Sequence, residues 1–102
     1  MRSVIQIDDD RCFVCQMAMG TEWHHLFPGV PNRKLSEQDG MKILVCRHCH
    51  EELHCGKKSG ELMDKYQRLG QEKWEAFYGP GLLLQGKSPR DEFIHRYGRN
   101  WL

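Results

Sequence analysis

No stretch of these 102 residues stays apolar for the roughly 18 positions that a membrane-spanning helix requires, so no membrane partner is expected. The opening "MRSVIQIDDD" has a basic residue but no apolar run before its three aspartates, so a secretory signal is not expected either. There is no internal repeat and no low-complexity tract. A strong charge of one sign is also missing. Fifteen Lys and Arg stand against fourteen Asp and Glu, a formal net charge of +1, which argues against a dedicated nucleic-acid coat. The balance is uneven along the chain. Residues 1–40 hold four basic against six acidic side chains, and residues 41–102 hold eleven against eight. That mild basic excess favours a phosphate partner without requiring one.

Cysteine is plentiful. Four of the five cysteines form two C-x-x-C pairs, Cys12 with Cys15 and Cys46 with Cys49. Without an export signal, metal thiolates are expected in place of a disulfide framework, in a cytoplasmic setting. Each pair lets two thiolates reach one ion from a tight turn, and together they make the four-thiolate set that zinc takes in structural sites. Cys55 lies outside both pairs and is read as a small apolar helix residue. A single domain of this size has a modest core, and a metal staple would add to it.

The expected order is α+β: a hairpin, then a helix, then two more helices. "SVIQI" reads as a short strand and "DDDR" as a turn. "CFVCQMAMG" reads as a zinc knuckle closed by Gly20. "TEWHHLF" and "MKILVC" read as the two strands of a hairpin. Between them "PGVPNRKLSEQDG", punctuated by proline and glycine, reads as a loop with room for a helical turn at "KLSEQ". A helix is expected from Arg47 to Gly56, and a second over "ELMDKYQRLGQEKWEAFYG", ended by Gly79 and Pro80. "PGLLLQGK" is then a linker. "SPRDEFIHRYG" has Ser88 as N-cap, Pro89 at the first position and Gly98 as C-cap.

The histidines supply the second theme. His50 and His54 are four apart on the expected helix and share a face, so both can reach one ion. His48 lies about 200° round the axis from His50 and should point to solvent. His24 and His25 are neighbours on a strand and face opposite sides. One can therefore bind a metal while the next faces a reacting group. Two metals are expected: a closed thiolate site, and an open site sharing the same short helix.

The pattern C-x-x-C … W-H-H … C-x-x-C-H-x-x-x-H, from Cys12 to His54, resembles the HNH endonucleases of the ββα-metal (His-Me finger) superfamily. The likeness is to the subgroup pinned by a four-cysteine zinc. "HHLFPG" followed by C-x-x-C-H is also similar to small phage and prophage proteins of that type. The resemblance implies a zinc-stabilised, treble-clef-like hairpin–helix unit over residues 12–54, with residues 61–102 as a helical extension. It implies that His25 is the general base and that His24, His50 and His54 face a divalent metal. Cys12, Cys15, Cys46 and Cys49 would hold structural zinc. It further implies a DNA phosphodiester as substrate, cleaved to a 5′ phosphate and a 3′ hydroxyl. A mainly histidine site suits Mn²⁺, Ni²⁺ or Zn²⁺ as well as Mg²⁺.

One departure stands out. The family's asparagine, about nine residues before the helix histidine, falls at Met41, and Asp39 or Asn32 would have to replace it. The alternative reading is therefore a catalytically inactive zinc module that binds DNA or a partner protein. A zinc hydrolase of another substrate is not expected, for want of a positioned H-E-x-x-H or H-x-E pattern. Arg33, Lys34, Lys57 and Lys58 read equally as phosphate contacts or as solvated charges. Trp74, Phe77, Tyr78, Phe93, Tyr97 and Trp101 could stack on bases, but at helical spacing they are expected in the core.

Overall fold

Two short strands, β1 (Glu22–His25) and β2 (Lys42–Val45), form the antiparallel hairpin of a computed structural model describing residues 2–6 and 10–102. In register, Trp23 opposes Leu44, His24 opposes Ile43 and His25 opposes Lys42. The helices are α1 (Val30–Asp39), α2 (Arg47–Cys55), α3 (Ser59–Leu84) and α4 (Pro89–Tyr97). The α+β order with its hairpin is thus as expected. None of the described helices is long and apolar enough to cross a membrane.

The expected N-terminal strand is not formed among the described residues, and its last position, Ile7, lies outside them. Ser3 to Gln6 is irregular, because Ser3 Oγ accepts from the backbone N–H groups of Ile5 and Gln6 and turns the chain locally. Gln6 then serves β2 through its side chain, accepting from Leu44 N at 2.7 Å. Of the expected "DDDR" turn, Asp8 and Asp9 lie outside the described residues.

The hairpin connection is also more ordered than its prolines suggest. Ten of its residues form α1, with Gly29 before it at φ 93° and Pro31 within the first turn. Proline presets the helical φ where no N–H is needed. Gly40, at φ 73°, closes the helix in the left-handed conformation and donates to Ser36 O. Few apolar residues mark α1. Polar bonds hold it instead: Asn32 Nδ2 donates to Tyr97 O at 3.0 Å, and Asp39 accepts from Trp74 Nε1 (2.9 Å), Tyr97 Oη (2.6 Å) and both ends of the Arg96 guanidinium.

Helix α3 does not stop at Gly79 and Pro80 but continues to Leu84. Proline inside a helix removes a bond and crowds the preceding turn. Tertiary packing overrides this: Tyr78 and Leu82, on either side of Pro80, pack against the core, and Tyr78 Oη donates to Asp39 O at 2.8 Å. Helix α4 begins as read, with Ser88 Oγ accepting from Asp91 N, and ends at Gly98 with φ 79°.

Most of the aromatic residues are core, as expected. Phe27 stacks on Trp101 at 5.0 Å between centroids and meets Phe93 and Tyr97 at 5.2 and 4.4 Å. Phe77 departs from the expectation and is exposed. At Gly70, α3 comes so close that an added Cβ would lie 2.9 Å from Leu26 Cδ1.

Candidate metal centres

The knuckle from Cys12 to Gly20 is a closed turn. Cys12 N donates to Ala18 O, Gln16 N donates to Cys12 O, and Cys15 N points at Cys12 Sγ from 3.5 Å. The start of α2 repeats the arrangement. Cys46 is its N-cap, and Cys49 N points at Cys46 Sγ from 3.4 Å. The two turns bring the four sulfur atoms within 4.8 Å of one another. A tetrahedral ion with bonds of about 2.3 Å would need sulfurs about 3.8 Å apart, so the set fits a structural metal such as zinc.

Its electrostatics agree. Burial raises the Cys12 thiol, but the backbone N–H groups of Cys15, Cys46 and Val14 outweigh it and bring it down to about 6. The backbone at Ala18 and Met17 lowers Cys15. Burial and the three neighbouring sulfurs push Cys49 far up. Four thiolates together carry more negative charge than this buried turn can hold alone, and a bound dication removes that conflict.

The second cluster is built from opposite sides of the hairpin–α2 contact. His24, from β1, meets His50 and His54, one turn apart on α2, with ring centroids 5.5, 5.3 and 4.8 Å apart. One nitrogen from each lies within 4.8 Å of the others. His24 is 4% exposed, and burial, then the charges of His54, His50 and His25, lower it to about 4. It is therefore neutral, and its buried Nε2 has no hydrogen-bond partner among the described residues. An orphaned ring nitrogen facing two more imidazoles fits a metal site.

Glu22, absent from the sequence reading, completes this cluster. It lies two residues before His24, on the same face of β1, and its carboxylate hydrogen-bonds Nδ1 of His50. That bond leaves Nε2 of His50 for an ion, as carboxylates do behind ligating histidines. The period-2 alternation of the strand could have revealed it.

His25 faces the other way, with Nε2 3.4 Å from Glu37 Oε1. Glu37 also holds Lys42 Nζ at 2.6 Å, and Lys42 first, with His25 assisting, lowers its carboxyl to about 2. An ionised Glu37 can only accept, so Nε2–H is the donor in this contact. Glu37 was not singled out, because the sequence marks only a helical turn at "KLSEQ" and not the full helix that brings it to His25.

A cleft of about 540 Å³ is lined by Trp23, His24, His25, Arg33, His50 and His54, among others. Arg33 is the expected basic residue that reaches it. Lys34, on α1, and Lys57 and Lys58, in the turn before α3, are exposed and do not line it. His48 is exposed, as expected; Cys55 is helical but exposed, not apolar packing. Neither Asn32 nor Asp39 braces His25, since both are committed to the C-terminal helices. Met41 is fully buried, and its carbonyl accepts from Leu26 N at 3.0 Å.

Helix α2 also spells H-E-x-x-H, His50-Glu51-Glu52-Leu53-His54, contrary to expectation. Glu51 is exposed, 3.6 Å from Arg47, and does not line the cleft, so it is not placed as a base for that chemistry. No family model matches this chain, and no curated protein or solved structure does so.

Proposed function

We propose that this chain is a metal-dependent HNH-type endonuclease acting on DNA, its hairpin and α2 forming a treble-clef-like unit on a four-cysteine zinc. The observation that carries this reading is the buried His24, with its unpartnered Nε2 among His50 and His54 while the adjacent His25 opens onto the same cleft.

His24, His50 and His54 would hold a divalent ion, which supplies charge to polarise the phosphate and stabilise the departing 3′ oxygen. His25 does the proton work. Its Nδ1 takes a proton from water, while Glu37 keeps Nε2–H in place and stabilises the imidazolium that forms. The hydroxide attacks phosphorus, the bond to the 3′ oxygen breaks, and that oxygen takes a proton from solvent. Arg33, in the cleft, pairs with the phosphate.

The test is cleavage of supercoiled DNA by the zinc-loaded chain with Mg²⁺, Mn²⁺, Ni²⁺ or Zn²⁺. His25→Ala should lower the rate by on the order of 10² to 10⁴, with zinc content and thermal stability unchanged. Equal rates for the two proteins would refute the role of His25. The second reading, an inactive zinc module, is favoured by Met41, whose side chain cannot make the asparagine's hydrogen bonds. Absence of cleavage with every metal would select it.

A further inference from the structure

Trp23 shares the outward face of β1 with His25, two residues on, which places the indole about 6.6 Å along the strand from the proposed base. It lines the same cleft and is 38% exposed, whereas Trp74 and Trp101 are buried. The ring is pinned. Lys42 Nζ sits 4.9 Å from its centroid and is tied in turn to Glu37. A pre-ordered ring loses little entropy when something stacks on it.

The cleft is poor in charge for a nucleic-acid site. Of the residues that line it, Arg33 is the one Lys or Arg. Duplex binding draws its affinity mainly from many phosphate contacts made by Lys and Arg. One guanidinium and one pinned indole suit a different ligand, a strand whose bases are free to stack.

We infer that the cleft takes an unpaired nucleotide, its base stacked on Trp23 and its phosphate between Arg33 and His25, so that the substrate is single-stranded or locally opened. The inference rests on the nuclease reading and names its substrate class. In a duplex the base next to the phosphate is already stacked within the helix and cannot reach the indole.

The test titrates the zinc-loaded chain, with no second metal added, with one oligonucleotide as a single strand and as a duplex. Indole fluorescence reports on Trp23, the exposed tryptophan. The single strand should quench it and bind at least about 10-fold more tightly than the duplex, with a shallow salt slope set by few phosphate contacts. Trp23→Ala should weaken single-strand binding about 5- to 100-fold, and Trp23→Phe should retain most of it. Cleavage with added Mn²⁺ should follow the same order. If Trp23→Ala fails to fold, the wild-type quench and Trp23→Phe still decide. Duplex cleaved as well as single strand, with neither quenching the indole, would overturn this inference and leave the nuclease reading standing. Neither binding nor cleavage of either form, with any metal, would overturn both.

Discussion

Glu22 holds His50 from behind, and its consequence is measurable. The carboxylate fixes the ring by its Nδ1 and leaves the opposite nitrogen for a ligand. Glu22→Gln keeps the shape and loses the charge. Calorimetric titration of the zinc-loaded variant with Mn²⁺ or Ni²⁺ should show about 10- to 100-fold weaker binding at the histidine cluster. Unchanged affinity would mean that the contact is incidental. His54→Ala should abolish the same binding and leave zinc content and circular dichroism nearly intact, since His54 lies more than a turn beyond the Cys46–Cys49 knuckle. Release of zinc by that substitution would show that the ligands are misassigned. At this scale the sequence was most informative where spacing alone sets geometry. C-x-x-C and H-x-x-x-H carry their own turn and their own helix face. Glu37 was hidden because its contact with His25 depends on the full length of α1, of which the sequence marks only a turn at "KLSEQ".

Elements were legible where apolar periodicity or a cap marks them, as in β2, α2 and α4. They were not where tertiary bonds decide. Helix α1 has proline and glycine at its start and little apolar pattern, and it exists because Asp39 at its end ties it to α3 and α4. Helix α3 crosses Pro80 for the same reason, through Tyr78. The Asp39 carboxylate is thus the joint between the hairpin connection and the C-terminal helices. Asp39→Ala would leave the indole of Trp74 and the hydroxyl of Tyr97 without acceptors and the Arg96 charge unpaired. It should lower stability by about 3 kcal/mol in denaturant unfolding. Metal binding by the folded variant should be unchanged, because Asp39 touches neither cluster. A loss below about 1 kcal/mol would show that water satisfies these groups instead.

At the scale of the molecule, two requirements meet. The 26-residue α3, about 39 Å long, is close in length to the 43 Å long dimension, and α2 and α4 pack against it. Metal binding worth on the order of 10 kcal/mol in small folds compares with a net stability of about 5–15 kcal/mol. One zinc per purified chain is therefore expected, with collapse of the circular dichroism signal on chelation or in Cys49→Ser. A well-folded chain free of zinc would contradict this. The tyrosines give a second whole-molecule readout. Burial raises Tyr66, Tyr78 and Tyr97 above their ordinary value, with the Asp39 charge adding at Tyr78 and Tyr97. A raised folded value contributes stability that is complete below the unfolded value of about 10 and is lost as pH rises beyond it. Phenolate absorbance should stay low at about pH 10 and then appear together with unfolding. Gradual ionisation of all three at about pH 10 with the fold intact would contradict the burial of Tyr66 and Tyr97.

The adjacency of Cys49 and His50 on α2 makes the thiolate cluster a phase reference for the helix. An ion held by Cys46 and Cys49 would help to set the angle of α2 about its own axis, together with the Glu22–His50 bond and the buried Leu53. Side chains reach about 5–6 Å from the axis, so a slip of about 10° would carry His50 and His54 about 1 Å sideways. A displacement of that size costs an aligned site about 10²-fold. The dependence should then run one way: emptying the histidines should leave the sulfurs undisturbed, whereas emptying the sulfurs should turn the histidines out of alignment.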